Sequence, residues 1–415
     1  MGKGESKSTT VMEKDILELL EYNSLYLNKE NFSEENAEYV YRNHKAKIEI
    51  VWPNPTNLHK WKLSSQGWVG YIPISETLGI NLKPKTSIEN LFGMLEYAYD
   101  LKSFELLDNK FKSDSITDFF ERLVVILTER ILLRMQQGLY KAYVLESSTL
   151  PYVRGRINTN KLYQTMINPL INCQYEEHTF DIEENQIIMW TLYLILRSGL
   201  LKTEKVKKLI SKVERTLHNY VSIVSFKSDS CIDRTYNRLN YDYEILHKLC
   251  RFFLDNLGPT HELGERDMLP FLIKMQSLFE KFIGKWVSKK IDRTKYSLKL
   301  QESFELGESS QLKMRPDMIL FDVQKNIPVC VLDMKYKIGE TVSNEDYNQM
   351  IAYADALGCE NAILIYPQHL KSPFNVKVKN IRVQSLVFNL GLPIDEGGEI
   401  FLRELYRSLN YSSIL

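Results

Sequence analysis

The chain has 415 residues, of which 44% are hydrophobic and 26% are charged, and its 53 basic residues balance its 53 acidic residues. This length predicts about two to four domains, each able to bury a core. The composition excludes a disordered or fibrous chain, and zero net charge excludes a protein that coats nucleic acid through overall positive charge. A basic face confined to one region remains compatible with this balance.

Cysteine usage and hydropathy narrow the class of protein further. The five cysteines are odd in number and form no CxxC pair, so we expect reduced thiols rather than a disulfide framework. The longest apolar run, at residues 187–196, is too short to span a bilayer, and no signal peptide is visible. No complete phosphate-binding loop motif occurs, so we expect no nucleotide to be bound by this chain. Together these features predict a cytoplasmic protein with no membrane contact.

The first region, residues 1–86, is predicted to be a small β-rich N-terminal domain. From about residue 46 onward, short apolar runs are bounded by Pro, Asn, Gly and Ser, which is typical of strands. Trp52, Trp61, Trp68 and Tyr71 lie in these runs. Their spacing favours a packed β core, and a surface that stacks a ligand is the alternative.

Residues 87–264 are predicted to be a mainly helical middle domain, because apolar residues recur there with a helical period. A helix is predicted to begin at Ser87 with an imperfect capping box, and a longer helix is predicted over residues 115–143. Further helices are predicted over residues 183–199, 202–219, 240–256 and 267–290.

Two charged features of this middle region allow more than one interpretation. Asp181, Glu183 and Glu184 stand where a helix begins, and carboxylates suit the positive end of a helix, so capping is favoured over catalysis. The basic helix at residues 205–220 is either a solvated face or a nucleic-acid contact.

Residues 265–415 are predicted to form a C-terminal α/β domain, in which helices flank a mixed central sheet. Two acids, Asp317 and Asp333, stand in apolar strands. If these strands form a hairpin centred on Lys325, residues whose numbers sum to 650 face each other, and the two aspartates are opposite. Like charges about 5 Å apart repel each other, which predicts a divalent cation with oxygen ligands between them. Lys335 lies on the same strand face as Asp333, and a structural ion pair at a sheet edge is the alternative.

The elements around the hairpin add polar and basic side chains. Gln349 and Tyr353 share one face of the following helix. They either contact a phosphate backbone, or orient Lys335, or are a surface and a core residue. Seven Lys and Arg residues occur at positions 281–299 against a single acid, which favours a polyanion ligand over a solvated surface. The nucleic-acid-binding candidates are Gln349, Tyr353, Lys285, Lys289, Lys290 and Arg293.

These residues resemble a known set. Pro316-Asp317 followed by Asp333-Met334-Lys335 resembles the PD-(D/E)xK nuclease signature, and Glu280 on the preceding helix is similar to its RecB-like branch. Sequence blocks over about residues 50–390, among them WKLSSQGWVGYIPISETLGINLKPK and EEHTFDIEENQII, resemble McrC. McrC is the nuclease subunit family of McrBC-type, modification-dependent restriction systems.

The resemblance implies a restriction-endonuclease-like fold in residues 265–415 and Mg²⁺-dependent hydrolysis of DNA phosphodiesters. It implies that one or two Mg²⁺ ions are held by Asp317, Asp333, the backbone carbonyl of Met334, and Glu280. Lys335 would position or activate the attacking water.

The resemblance also implies partners. The first partner is an McrB-like AAA+ GTPase hexamer. Residues 1–86 would dock on this hexamer, and the chain would stimulate its GTP hydrolysis. The second partner is modified double-stranded DNA. A second copy of the nuclease is expected for double-strand cleavage. The alternative function is a non-catalytic adaptor that activates an AAA+ NTPase.

Overall fold

The structure, a computed structural model, describes residues 15–75, 77–101, 115–159, 170–258, 269–306, 312–337 and 341–410. The chain divides into two compact units. The first unit joins Met1–Ile116 with Leu272–Leu415, and the second unit is Thr117–Phe271. Both units contain helices and strands, which confirms the predicted α+β class. The division into regions 1–86, 87–264 and 265–415 stays a prediction.

The N-terminal part of the first unit folds into strands and one helix. Its elements are β1 (Asp15–Leu20), β2 (Ser24–Leu27), α1 (Glu34–His44), β3 (Ile48–Val51), β4 (Trp61–Ser65), β5 (Trp68–Pro73) and β6 (Leu78–Lys83). β4 pairs antiparallel with β2 and β3, while β6 pairs in parallel with β1 and antiparallel with β5. The strands predicted from residue 46 onward are therefore confirmed.

The aromatic residues of this segment differ in burial. Trp61 and Tyr71 are buried, as the packed-core interpretation predicts. Trp52 is 38% exposed, and its ring packs edge-on against Trp61 with ring centroids 5.6 Å apart. The core prediction is thus confirmed for Trp61 and Tyr71. A ligand surface at Trp52 stays a prediction.

The second unit is mainly helical and includes a three-stranded sheet. Its elements are α3 (Ile116–Gln137), β7 (Ala142–Leu150), β8 (Arg156–Ile157), β9 (Ile171–Thr179), α4 (Glu183–Arg197), α5 (Glu204–His218) and α6 (Tyr243–Asn256). The strand order in the sheet is β7-β9-β8. The prediction that the long helix reaches residue 143 is wrong. Gly138 has a φ of 93°, a left-handed conformation that ends α3, and β7 then pairs antiparallel with β9. The next three predicted helices are confirmed as α4, α5 and α6.

The remaining elements belong to the first unit. They are α2 (Ile88–Ala98), β10 (Phe271–Lys274), α7 (Met275–Lys290), β11 (Tyr296–Leu300), β12 (Phe304–Leu306), β13 (Leu312–Met314), β14 (Met318–Asp322), β15 (Ile327–Met334), α8 (Asn344–Leu357), β16 (Asn361–Tyr366), β17 (Asn375–Val378), β18 (Ile381–Val387) and α9 (Ile394–Asn410). As predicted, Ser87 caps α2, accepting a hydrogen bond from Asn90 N at 3.2 Å. The helix predicted from residue 267 begins only at Met275, because β10 adds as an edge strand beside β5.

The C-terminal sheet of the first unit is mixed, with strand order β11-β14-β15-β16-β18-β17. β15, β16 and β18 are parallel, and the outer strands pair antiparallel. β16 is buried along its whole length, as expected for a central strand covered on both faces. Val331 and Leu364 pack in one core with Tyr353 of α8. No helix within the described ranges is both long and apolar enough to cross a membrane.

Candidate active site

The acidic hairpin forms with the predicted register. Met318 pairs with Leu332 and Ile319 with Val331, so the numbers of paired residues sum to 650 at this end of the hairpin. A β-bulge between Leu320 and Phe321 changes the register in the part of the hairpin that lies nearer the turn. Since the bulge lies away from the acids, they keep their predicted places at the open end of the hairpin.

Asp317 and Asp333 lie next to each other at this end. Asp317 directly precedes β14, and its Oδ2 accepts a hydrogen bond of 2.8 Å from the Met334 backbone N–H. Burial and the negative charge of Asp333 raise the pKa of Asp317 to about 7, although the Met334 N–H opposes this rise. The two acids therefore repel each other, and the positive charge of Lys335 offsets this repulsion only in part.

Lys335 follows β15 and lies beside Asp333. Its Nζ is 2.6 Å from Asp333 Oδ2, and that buried oxygen has no aligned hydrogen-bond donor. Burial raises the pKa of Asp333 even though Lys335 lowers it. Burial also lowers the pKa of Lys335, but the charges of Asp333 and Asp346 outweigh this effect and leave it raised. Lys335 is therefore held as a cation.

Glu280 lies on α7 and is held by Gln276 one turn earlier. Gln276 Nε2 donates to Glu280 Oε1 at 2.6 Å and to the Met334 carbonyl at 2.7 Å. Burial raises the pKa of Glu280, and Asp333 adds to the rise. Sequence reasoning missed Gln276. The spacing of four residues between Gln276 and Glu280 on one helix face is the signal that points to it.

Helix α8 supplies the other neighbours of Lys335. Lys335 Nζ donates to Gln349 Oε1 at 3.0 Å, and Gln349 Nε2 donates to the Tyr353 hydroxyl at 2.8 Å. These two hydrogen bonds are the ones expected if Gln349 orients the Lys335 side chain. Tyr353 is buried, and its hydroxyl lies 3.4 Å from the Arg315 carbonyl. Contact of Gln349 and Tyr353 with a phosphate backbone stays a prediction.

Asp346, which sequence reasoning also missed, completes this group. Its Oδ1 is 3.4 Å from Lys335 Nζ, and Lys337 Nζ lies 3.1 Å from its other oxygen. Its backbone N–H donates to Ser343, the cap of α8, at 3.1 Å. A Ser followed three residues later by an acid is the capping pattern that marks this position.

The basic candidates lie on the later turns of α7 and just beyond it. Lys285, Lys290 and Arg293 are exposed. Lys289 is exposed too, but its Nζ pairs with Asp100. With a rise of about 1.5 Å per residue, Lys290 lies about 15 Å along the helix from Glu280. Glu280 and three of the basic candidates therefore lie along one helix, and DNA contact by the four basic residues stays a prediction.

The donor atoms suit a hard divalent cation. Within the described ranges, no group of three or more His, Cys, Asp and Glu side chains is arranged to hold a metal ion. Two carboxylates are nevertheless close neighbours, because Asp317 Oδ2 accepts the Met334 N–H and the charge of Asp333 raises the pKa of Asp317. Oxygen donors of this kind fit Mg²⁺, which keeps several waters and takes only one or two protein carboxylates.

Comparisons with known proteins indicate a family and a fold. A model of the family described as McrBC 5-methylcytosine restriction system component matches residues 63–367. A chain in the refined half-complex from the tetradecameric assembly of Thermococcus gammatolerans McrB AAA+ hexamers with bound McrC has a TM-score of 0.57 at 13% identity, over 94% of this chain and 100% of that one. The cryo-EM structure of the Thermococcus gammatolerans McrBC complex has a TM-score of 0.42 at 14% identity, over 67% and 89%. No curated protein matches the chain.

Proposed function

The chain belongs to the McrBC family of 5-methylcytosine restriction system components, and we propose that it is the Mg²⁺-dependent DNA endonuclease subunit of a modification-dependent restriction complex. The observation that carries this proposal is the group formed by Asp317, Asp333 and Lys335 at the end of β15. Burial raises the pKa of both acids there, the charge of Asp333 raises that of Asp317 further, and a lysine is held beside them as a cation.

We assign residues 265–415 to a PD-(D/E)xK nuclease domain. The acids of this signature stand at the ends of paired strands in a mixed sheet, and the lysine lies two residues beyond the second acid. β14, β15 and the first residue after β15 supply these positions here. Residues 1–86 are assigned to partner docking, and residues 87–264 to a helical middle domain.

Asp317, Asp333 and the Met334 carbonyl would hold one or two Mg²⁺ ions. Glu280 would complete the metal shell, directly or through a water molecule. A bound Mg²⁺ supplies positive charge that stabilises the transition state of phosphodiester hydrolysis and its leaving oxygen. Lys335 remains protonated because Asp333 and Asp346 surround it, so it orients the attacking water and stabilises charge rather than accepting a proton. Gln349 fixes the direction of the Lys335 ammonium.

The proposed partner is an AAA+ GTPase hexamer of the McrB kind. The Thermococcus gammatolerans assembly with the same fold is one of McrB AAA+ hexamers with bound McrC. We propose that this chain likewise binds such a hexamer in the cytoplasm and stimulates its GTPase. Because the described part of the chain holds one acidic hairpin, cutting both strands of modified DNA would take a second copy of the chain or a second complex.

Plasmid cleavage tests the proposal. Methylated and unmethylated plasmid is incubated with the chain, Mg²⁺, the partner GTPase and GTP, with each component left out in turn. We expect cleavage only when Mg²⁺ is present, and we expect Asp333→Ala and Lys335→Ala to abolish it while partner binding persists. Unimpaired cutting by both variants would rule the nuclease assignment out.

A non-catalytic activator of an AAA+ NTPase is the second candidate. The observation that favours it is the large part of the chain before residue 265, to which no catalytic or metal-binding residue is assigned. The two candidates predict different results for the wild-type chain. If the chain is only an activator, the wild type stimulates the partner's hydrolysis but leaves every plasmid uncut, and Asp333→Ala behaves in the same way.

A further inference from the structure

The turn after β1 places two side chains against the strand that carries Lys335. Tyr22 in this turn has a φ of 55°, a left-handed conformation that is strained for a bulky residue. Its ring lies against Gly67, where an added Cβ would approach the Tyr22 hydroxyl to 2.4 Å. A strained backbone and a glycine without room for a side chain therefore fix the position of Tyr22.

Both residues of this turn bind Tyr336, the residue after Lys335. The Tyr336 hydroxyl donates to Glu21 Oε2 at 3.2 Å, and the Tyr22 hydroxyl donates to the Tyr336 carbonyl at 3.3 Å. The Tyr336 N–H donates to Gln276 Oε1 at 2.9 Å. Every polar group of Tyr336 is thus bound by a side chain from a distant part of the sequence.

Glu21 is buried at an energetic disadvantage. Its side chain is inaccessible to solvent, and Oε1 has no hydrogen-bond partner within the described part of the chain. Burial raises its pKa to about 7, against the effects of the Lys85 N–H and the Tyr336 hydroxyl. A buried polar atom without a partner destabilises a fold by about 1–3 kcal/mol. A hydrophobic residue in place of Glu21 would avoid this loss but could not accept the Tyr336 hydroxyl.

We propose that Glu21 and Tyr22 are positioning residues for Lys335: by holding Tyr336 they fix the main chain on which Lys335 stands. The Lys335 N–H already donates to the Ile365 carbonyl at 2.9 Å, so β16 fixes one side of Lys335 and the turn after β1 fixes the other. This inference rests on the proposed function. Misplacing a reacting group by about 1 Å lowers a rate by up to about 100-fold, so these contacts affect the rate of cleavage rather than the binding of DNA.

Conservative variants in the full chain, assembled with its partner, test the inference. Tyr336→Phe removes only the hydroxyl and keeps the ring, which packs on Phe279 at 5.6 Å. Glu21→Leu removes the acceptor, whereas Glu21→Gln keeps one. Tyr71→Phe, another buried tyrosine of the same unit, is the matched control.

Single-turnover cleavage is measured at saturating DNA and Mg²⁺, together with the Kd for DNA and GTPase stimulation. We expect Tyr336→Phe and Glu21→Leu each to lower the cleavage rate about 5- to 50-fold, with the Kd and the stimulation within about twofold of wild type. The double variant should be no slower than either single variant, because both remove one contact. Glu21→Gln should restore most of the rate, and Tyr71→Phe should cleave as wild type.

The outcomes separate the two proposals. If the wild type cleaves, Asp333→Ala does not, and Tyr336→Phe and Glu21→Leu cut at the wild-type rate, the positioning role is overturned and the nuclease stands. If Glu21→Leu does not fold, Tyr22→Phe takes its place, because Tyr22 is half-exposed and loses only a hydroxyl. A wild-type chain that never cuts overturns both proposals.

Discussion

Asp181 in the second unit and Asp317 in the first are both partly or largely buried acids, yet their surroundings differ. Asp181 accepts hydrogen bonds from Ser222 N at 2.8 Å, Ser222 Oγ at 2.6 Å and Gln186 Nε2 at 2.8 Å. Burial tends to raise the pKa of Asp181, but these hydrogen bonds together lower it. Asp317 has one hydrogen bond from a backbone N–H, and its pKa rises to about 7. An acid whose oxygens are satisfied serves the fold, whereas an acid that repels its neighbours is suited to a cation.

The cations of the two units differ in the same way. Arg234 in the second unit pairs with Glu183 at 3.0 Å and Glu184 at 3.1 Å, which ties the start of α4 to a neighbouring segment. This agrees with a structural role for these acids rather than catalysis. Lys335 also contacts two acids, but one of them, Asp333, keeps an oxygen without an aligned donor. The negative charge beside Lys335 is therefore compensated less fully than the negative charge beside Arg234.

The largest expected effect separates the two aspartates directly. Asp333→Asn removes a charge that the proposed reaction needs, so cleavage should fall at least about 1,000-fold in the plasmid assay. Asp181→Asn is the matched control and should cleave at the wild-type rate per folded molecule. Equal losses for both variants would contradict the distinction between a site acid and a structural acid.

Glu280→Gln should have the next largest effect. The variant keeps an oxygen for Gln276 but removes the negative charge, so the cleavage rate should fall about 10- to 100-fold and the Mg²⁺ concentration for half-maximal rate should rise. Glu345→Gln, an exposed acid at the start of α8, is the control. An unchanged Mg²⁺ requirement in Glu280→Gln would remove Glu280 from the proposed metal shell.

Asp181→Asn should affect stability rather than cleavage. Losing the charge-assisted hydrogen bonds from Ser222 and Gln186 should destabilise the chain by about 1–2 kcal/mol at pH 7. Because the folded pKa of Asp181 lies below its ordinary value of 3.8, this stabilisation is present above about pH 4 and is lost as the pH falls through the folded pKa. Thermal unfolding of both proteins from pH 7 to pH 3 should show the difference shrinking with acid, and a constant difference would count against it.

The smallest expected effect concerns the basic stretch. Lys285→Gln and Lys290→Gln should each weaken DNA binding about two- to fivefold and reduce the dependence of log Kd on log salt by about 1. Lys377→Gln, on the exposed edge strand β17, is the control. Binding that is equally weak in all three variants would mean that general charge, rather than the end of α7, attracts the DNA.

Local sequence patterns predicted the features of the fold that depend on residues close together in the sequence. The period-2 pattern and the polar turn gave the register of β14 and β15, and the Ser87 cap gave the start of α2, because both depend on residues close in sequence. The end of α3 was missed because a single glycine, Gly138, outweighed the helical pattern around it.

Long-range contacts could not be predicted in this way. Gln276 and Asp346 join the site only because α7 and α8 meet β15 in space, and no local pattern reveals that meeting. The contact between Glu21 and Tyr336 spans 315 positions and has no sequence signal at all. The residues that we propose for the chemistry can be named from the sequence, whereas those that hold them in place required the fold.

The position of β10 has a consequence for how the chain is made. β10 is the edge strand of a sheet whose other strands, β1, β5 and β6, lie within the first 83 residues. A ribosome must therefore synthesise the whole second unit before that sheet gains its last strand, and nearly the whole chain before the strands of the candidate site exist. A chain that terminates before Met334 would thus lack the complete acidic hairpin, so the order of synthesis makes the candidate site one of the last parts of the fold to assemble.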